Sequence, residues 1–209
     1  MTGRATPRGA RRARFEGMIA GIGSESGTRV VVGHWPVSSL GSFSDAMVET
    51  ATGHRVLLAP TEEVAGFVAQ TYSFDEVRIE PVRVLVDGPE WEVSSPSLTL
   101  RLTTGRSTLL GLLLRLVPDA VATSPGWCTL TDPVARVVLR GVRTRGTARE
   151  GRREYYGATG TRSVRSATGT FDGTALGRLR PVDPPCRFGF SSTPRTPGVT
   201  SLVTTVVDT

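Results

Sequence analysis

The sequence predicts a mainly β fold, an antiparallel barrel-like sheet with two short helices, and a β-sandwich is the alternative. Valine, threonine and glycine are frequent along the chain. Only two segments show the period of a helix, and turn-forming residues separate runs of strand length. One uninterrupted parallel α/β sheet is not expected, because strands do not alternate with helices.

The first four predicted strands form two hairpins. Residues 14–22 and 29–35 are apolar runs joined by a Ser-Glu-Ser-Gly turn. Residues 47–50 and 54–59 flank Ala51-Thr52-Gly53, which predicts a tight hairpin.

The period then changes to that of a helix. Thr61 follows Pro60 as an N-cap, and two glutamates occupy the first turn, where the helix dipole favours acids. Apolar side chains recur at helical spacing, at Val64, Phe67, Val68 and Tyr72.

Strands resume in the middle of the chain. Residues 76–86 alternate apolar and polar side chains around Pro81, which indicates an edge position or a bulge because proline cannot donate to a ladder. Residues 91–93 and 98–103 are the next predicted strands.

A second helix is predicted from near Ser107 to Pro118. The proline-rich residues 118–133 are predicted as a long loop, which acts as a lid, binds a ligand or packs on the barrel.

The last third predicts a meander of short strands. Turn residues at Glu150-Gly151, Thr159-Gly160 and Asp172-Gly173 divide residues 134–180 into four runs, and Asp-Gly is a preferred hairpin loop. The final predicted strands are residues 187–191 and 201–207.

A single β-rich domain over residues 14–209 is expected, because 209 residues with 38% hydrophobic content suffice for one substantial core. Residues 1–13 are predicted as a disordered basic tail. They lack the continuous apolar segment of about 7–15 residues that a secretory signal needs.

The net charge of +6 is unevenly distributed. Residues 15–133 hold seven arginines and fourteen acids, whereas residues 134–195 hold thirteen arginines and four acids. We expect the two segments to pair across the sheet, with an anionic-ligand pocket or a nucleic-acid surface as alternatives. Five arginines lie in the first 14 residues, so the folded part is nearly neutral and no nucleic-acid partner is expected.

Every basic residue is an arginine, and the chain contains neither lysine nor asparagine. The absence of lysine excludes Schiff-base aldolases and decarboxylases, pyridoxal-phosphate enzymes and the P-loop. The absence of asparagine excludes an N-glycosylation sequon. No cofactor is expected.

The two cysteines, Cys128 and Cys186, have no metal-like spacing. We interpret them as buried thiols of a cytoplasmic protein, with a disulfide as the alternative. His34 and His54 are the only imidazoles, so no metal site is predicted, although the sequence leaves a mixed site with carboxylates open.

The most apolar stretch, LLGLLLRLV at 109–117, contains Arg115. It is far shorter than the roughly 20 residues that span a bilayer. It predicts a core helix, with a membrane-touching helix as the alternative, and no membrane span.

The first candidate site is the stretch RGVRTRGTAREGRREYYG at 140–157. With Glu150-Gly151 as a two-residue turn, Arg145 pairs with Tyr156. One face then carries Arg143, Arg145, Glu154 and Tyr156. If that face points inward it binds a carboxylate or a phosphate, for which the guanidinium fork is suited. Otherwise the pairs only stabilise a half-exposed hairpin, and a one-residue slip would exchange its faces.

The second candidate site contains His34, Trp35 and Asp45, with His54 in the next hairpin. A base, an orienting carboxylate and a stacking aromatic suit acid–base chemistry. The alternative is that these residues are ordinary strand, turn and core positions. The predicted ligand-binding residues are therefore His34, Trp35, Arg143, Arg145, Glu154 and Tyr156.

The segments FSDAMVE, GHRVLLAPT, FDEVRIEPV and PVDPPCRFGFSSTP resemble a family of uncharacterised proteins from high-GC actinobacteria over most of the chain. The resemblance implies GC-rich coding, which accounts for the exclusive use of arginine, and it implies no activity and no functional residue. The barrel is similar to lipocalins in shape alone, because the Gly-x-Trp signature near the first strand is absent.

Three functions are compatible with these observations. The leading hypothesis is a protein that binds a small, partly apolar and anionic molecule inside the barrel. The second is an enzyme that uses His34 or Glu154 as a proton-transfer group in the same pocket. The third is a non-catalytic interaction module, as a homodimer through an exposed strand. A deep pocket that holds a buried His34 or Glu154 with a perturbed pKa would favour the enzyme. An interior fully filled by side chains would exclude both pocket hypotheses and leave the interaction module.

Overall fold

The computed structural model describes residues 11–138, 145–149, 152–189 and 193–208. Its strands are β1 (Arg11–Ser24), β2 (Arg29–Ser38), β3 (Phe43–Glu49), β4 (Arg55–Ala59), β5 (Glu76–Ile79), β6 (Arg83–Asp87), β7 (Glu90–Ser94), β8 (Leu98–Ser107), β9 (Arg145–Arg149), β10 (Arg152–Phe171), β11 (Thr174–Ala175), β12 (Leu179–Arg180) and β13 (Gly198–Asp208). The helices in this part of the chain are α1 (Glu62–Ala69), α2 (Leu109–Leu114), α3 (Asp119–Ala122) and α4 (Pro125–Val138).

The strands form one sheet with the order β5-β4-β3-β2-β1-β13-β10-β8-β7-β6. The short strands β9 and β11 pair with β10, and β12 pairs with β1. All these pairs are antiparallel except β4 and β5. The sheet curls into a half-barrel, so the mainly β, barrel-like prediction is confirmed. The sandwich alternative is wrong, because the strands form a single continuous sheet.

The sheet has an inner face and an outer face, which alternate along each strand. On β2, Val30 and Val32 point into the main core inside the half-barrel, where Trp91 of β7 also lies. Val31 and Trp35 point outward into smaller apolar clusters. Functional side chains can therefore be assigned to one face or the other.

Helix α1 begins where the sequence predicts it and covers the outer face. The backbone N–H of Val64 donates to the Thr61 hydroxyl at 3.2 Å, which confirms the predicted N-cap. Val64 and Ala65 are buried against Leu57 and Ala59 of β4.

The N-terminal hairpins follow the prediction. Gly53 has a φ of +87° and donates its N–H to the Thr50 carbonyl at 3.0 Å, closing the turn between β3 and β4. β1 begins at Arg11, so residues 11–13, which the sequence assigns to the tail, pair with β13.

Residues 76–86 form two strands, where the sequence predicts one. β5 and β6 lie on either side of Pro81 and are the two edges of the sheet. The chain thus passes from one edge to the other at a residue that has no N–H to donate.

The predicted loop at 118–133 is wrong, because this region forms α3 and most of α4. Ser124 precedes α4, and its hydroxyl accepts the N–H of Trp127 at 3.2 Å. Pro125 then occupies the first helical position, where a missing N–H costs no hydrogen bond. The described part of the chain therefore has four helices, where two are predicted, and none is long and apolar enough to cross a bilayer.

β10 is one strand of 20 residues. The predicted turn at Thr159-Gly160 is wrong, because the pairing of β10 with β13 shifts register between Ala158 and Gly160 and the strand continues. The Asp172-Gly173 turn is confirmed, with positive φ values of 48° and 74°. The Glu150-Gly151 turn lies outside the described residues.

Two further strand predictions fail at the ends of this region. Residues 134–138 are the last part of α4. Residues 187–189, the described part of the predicted strand 187–191, form no strand. There the N–H of Arg187 donates to the Glu49 carboxylate at 2.8 Å, so it is not available to a neighbouring strand.

Candidate functional site

The sheet separates the predicted site residues. His34 lies on the inner face, where its Nδ1 is 2.9 Å from the Ser44 hydroxyl and its ring meets the edge of Trp91. Partial burial lowers the pKa of His34. Trp35, the next residue, lies on the outer face. The structure therefore does not bring His34 and Trp35 into one site.

Trp35 binds Asp45 on the outer face. Its indole N–H donates to Asp45 Oδ1 at 3.0 Å, and Asp45 is only 5% exposed. Both side chains lie over Gly33, where a Cβ would collide with them. Burial raises the pKa of Asp45 to about 7.

The predicted acid–base group of His34, Asp45 and His54 is not formed. Asp45 binds Trp35 and not a histidine. His54 lies at the surface, with its Nε2 at 3.1 Å from a carboxylate oxygen of Glu76. The interpretation as ordinary strand, turn and core positions fits both histidines.

Glu154 and Tyr156 belong to a buried polar cluster on the outer face. The Tyr156 hydroxyl donates to Glu154 Oε2 at 2.7 Å, and the Thr71 hydroxyl donates to Glu154 Oε1 at 2.7 Å. Tyr72 and Tyr156 are joined through their hydroxyls. Glu154 is 3% exposed. We call Glu154, Tyr156, Tyr72 and Thr71 the acid–phenol cluster.

The hydrogen bonds of the acid–phenol cluster have a direction. A phenol has one hydrogen, and Tyr156 gives its hydrogen to Glu154, so Tyr72 is the donor to Tyr156. Burial and the nearby Glu154 raise the pKa of Tyr156 well above its ordinary value. Tyr156 therefore remains a neutral donor at physiological pH.

Thr71 and Tyr72 were missed by the sequence analysis. The helical spacing indicates only that Tyr72 continues the apolar stripe of α1. Both residues follow the end of α1, and their contact with β10 spans more than eighty positions. Only the tertiary packing of α1 on the sheet reveals it.

The hairpin register differs from the predicted one. Arg149 pairs with Arg152 as predicted, but the register shifts after that pair, and Arg145 lies opposite Tyr155. The predicted pair of Arg145 with Tyr156 is thus wrong by one residue. Arg143 lies outside the described residues.

A cavity of about 320 Å³ lies beside the segment 182–195. We call it the loop cleft. Its lining residues are Val182, Asp183, Pro185, Thr193 and Arg195. Arg195 donates from Nη2 and Nε to one oxygen of Asp183, at 2.8 and 3.2 Å. Among the described residues, the buried Thr193 hydroxyl has no hydrogen-bond partner. The loop cleft therefore places a guanidinium, a carboxylate and a hydroxyl beside apolar side chains.

The segment that forms the loop cleft is tied to the outer face. Val182 packs in one apolar cluster with Cys186, Phe188 and Tyr72. The Ser73 N–H donates to the Phe188 carbonyl at 2.7 Å. These contacts place the wall of the loop cleft in the same apolar cluster as the side chain of Tyr72.

A buried ion pair anchors the same segment. Glu49 is fully buried, and its Oε1 lies 2.9 Å from Arg29 Nη2 and 3.0 Å from Arg187 Nε. Arg29 is buried as well. Removing either partner would leave an uncompensated charge inside the protein.

The cysteines are free and buried, as predicted. Burial raises the pKa of Cys128 to about 11 and that of Cys186 to about 12, so both are inert thiols near neutral pH. Within the described ranges, no three His, Cys, Asp or Glu side chains are grouped so as to hold a metal ion.

No family model matches the sequence, and no curated protein does. Two solved structures are similar in shape. An acetoacetate decarboxylase from Legionella pneumophila has a TM-score of 0.45 and 8% identity, with 100% of this chain and 90% of that chain covered. A second acetoacetate decarboxylase structure has a TM-score of 0.43 and 8% identity, with 97% and 88% covered.

Proposed function

We propose that the protein binds a small, partly apolar molecule with an anionic group in the loop cleft. The observation that supports this is the cavity of about 320 Å³, in which the Arg195–Asp183 pair stands beside Val182 and Pro185. Ligand pockets are typically concave, mostly apolar and roughly 300–1,000 Å³, with a few polar groups that fix orientation.

The polar groups of the loop cleft explain the preference for an anion. Arg195 donates from Nε and Nη2 to a single Asp183 oxygen. Among the described residues its Nη1 has no hydrogen-bond partner, so this nitrogen can donate to a ligand carboxylate or phosphate.

The inner face is less suited to a ligand. In the described part of the chain, apolar side chains from both halves of the sheet meet in the main core of the half-barrel. The sequence predicts a ligand inside the barrel, and this core argues against that position. We therefore place the ligand in the loop cleft, on the outer side of the sheet.

Native mass spectrometry of the protein purified from its own host tests this function. We expect a non-covalent small-molecule adduct on the wild type that is lost in Arg195→Gln. The matched control is Arg180→Gln, which removes an exposed arginine that pairs with Glu25 at 3.0 Å. The proposal is wrong if the wild type carries no adduct, or if both variants lose it equally.

A second candidate function is proton transfer by the acid–phenol cluster. The observation that favours it is the directed chain of hydroxyls from half-buried Tyr72 through Tyr156 to buried Glu154. Such a chain can move a proton between Glu154 and a molecule bound against Tyr72. If the recovered ligand is turned over, Tyr156→Phe should abolish turnover and keep the adduct. Undiminished turnover in that variant would exclude this role.

A further inference from the structure

Helix α2 exposes the apolar side that a core helix would bury. Leu109, Leu112 and Leu113 of α2, together with Leu116 just after its end, form one stripe, which we call the leucine stripe. The exposed fractions are 75% for Leu109, 51% for Leu112, 54% for Leu113 and 79% for Leu116. The prediction of a core helix at 109–117 is therefore wrong for this stripe.

The opposite side of α2 explains the orientation. Gly111 lies against the backbone of Thr161 on β10, where a Cβ would overlap the Thr161 carbonyl. The N–H of Thr108 donates to the same carbonyl at 3.0 Å. The helix is thus fixed to the sheet through its glycine side, and the leucine stripe must point away from the protein.

Four exposed arginines lie on or next to α2 and the two strands that it contacts. They are Arg106 on β8, Arg162 and Arg165 on β10, and Arg115 just after α2. Arg162 Nε donates to the Gly105 carbonyl of β8 at 3.1 Å, and the Arg165 side chain lies beside Gly105. Arg115 lies near Gly160. We call these four residues the arginine fringe.

Among the described residues, the arginine fringe forms no ion pair with an acid. Residues 93–118 and 155–171 contain no aspartate or glutamate. Within the described part of the chain, none of the four arginines forms an ion pair, whereas other exposed arginines, such as Arg178 and Arg101, do. The surface around α2 is therefore both apolar and positively charged.

We propose that α2 docks the protein on an anionic lipid bilayer. The leucine stripe enters the boundary between headgroups and acyl chains, and the arginine fringe contacts the negatively charged headgroups. An exposed leucine gains free energy when it leaves water, and each basic residue near an anionic leaflet adds to the attraction. The helix is too short to span, so the contact is peripheral and reversible.

The same features argue against a second copy of the chain as the occupant. Two copies related by a two-fold axis would bring the arginine fringe against itself, which costs free energy. A standard protein interface needs about 800 Å² on each partner, with aromatic anchors. Two turns of leucine, with no aromatic residue between Trp91 and Trp127, do not supply it.

Vesicle co-sedimentation tests the proposal. The full chain is mixed with vesicles of phosphatidylcholine alone and of phosphatidylcholine with about 30% phosphatidylserine. We expect binding to the phosphatidylserine vesicles that weakens as salt is added and is much lower on phosphatidylcholine. Leu109→Ser and Leu116→Ser should each reduce the partition constant about tenfold. Arg115→Gln should reduce it about fivefold.

Matched controls lie on the edge strand β6. Leu85→Ser changes a leucine that is 68% exposed on the edge strand β6, and Arg83→Gln changes a nearby exposed arginine. Neither should alter partitioning. Far-UV circular dichroism should show every variant folded, because the altered side chains are exposed. Arg195→Gln should bind vesicles like the wild type, which separates this proposal from ligand binding in the loop cleft.

Three outcomes would overturn the proposal. One is the absence of binding to the phosphatidylserine vesicles by the folded wild type. Another is an equal loss of binding in Leu85→Ser and Leu116→Ser. The third is a dimer in light scattering that Leu116→Ser dissociates, which would assign the leucine stripe to a second copy.

Discussion

The buried carboxyl of Asp45 makes stability depend on pH. In the folded protein burial raises its pKa to about 7 from an ordinary value of 3.8, although the hydrogen bond from the Trp35 indole N–H lowers it. A raised folded pKa means that the folded state binds the proton more tightly than the unfolded state. The stabilisation of the folded state by the protonated Asp45 carboxyl is therefore fully present below about pH 4 and is lost as the pH rises to about 7.

The magnitude follows from the size of this shift. Each pH unit between the two pKa values changes the free energy of unfolding by about 1.4 kcal/mol. Between about pH 5.5 and pH 8 the wild type should lose about 2 kcal/mol from this carboxyl. Asp45→Asn keeps an oxygen that accepts the Trp35 N–H and has no proton to lose, so this loss should disappear.

Urea unfolding of both proteins at the two pH values measures the effect. We expect the stability of Asp45→Asn relative to wild type to increase by about 2 kcal/mol between about pH 5.5 and pH 8. Asp87→Asn is the same change at the exposed last residue of β6. Its stability difference from the wild type should not vary in this way between the two pH values. A constant difference between Asp45→Asn and the wild type would refute the assignment of a buried neutral acid.

Three further predictions concern the contacts that hold the fold. Glu49→Gln should lower the free energy of unfolding by about 3–5 kcal/mol in urea titrations, because Arg29 stays buried without its counter-charge. Arg78→Gln should cost about 1–3 kcal/mol, because Arg78 joins β5 to the β10–β11 turn through a 2.6 Å ion pair; Arg101→Gln, in an exposed pair, should cost less than about 1 kcal/mol. The two cysteine thiols should react with a disulfide reagent at about pH 8 only after urea is added, and detection of a disulfide would contradict their assignment as free thiols.

Local signals in the sequence were sufficient for the first half of the fold. The cap at Thr61 and the turn at Gly53 each depend on a few neighbouring residues, and both are confirmed. At Pro81 the sequence indicates an edge or a bulge, and β5 and β6 on either side of it are edge strands, although a single strand is predicted there. These features need no knowledge of the rest of the chain.

The wrong secondary-structure predictions occur at residue types that are common in two kinds of local structure. Gly160 signals a turn, yet β10 uses this region for a register shift and continues. Pro125 signals a loop, yet it starts α4 behind the cap at Ser124. Tertiary context decides between the two uses, and it is not contained in a short window of sequence.

In the candidate sites, too, contacts between residues close in sequence were predicted and contacts that depend on tertiary packing were not. Glu154 and Tyr156 were predicted to share a face, and the structure joins them by a hydrogen bond. Their partners Thr71 and Tyr72 lie more than eighty positions earlier in the chain. The Asp183–Arg195 pair of the loop cleft is twelve residues apart and carries no motif, so only the packed structure reveals it.

The most direct test of the proposed function is an NMR titration of isotope-labelled protein with hexanoate, a small, partly apolar anion. The proposal predicts saturable shifts of the backbone amides of Val182, Thr193 and Arg195, and their loss in Arg195→Gln but not in Arg180→Gln. Shifts confined to the inner face, around Val32, His34 and Trp91, would contradict the proposal and return the ligand to the barrel interior.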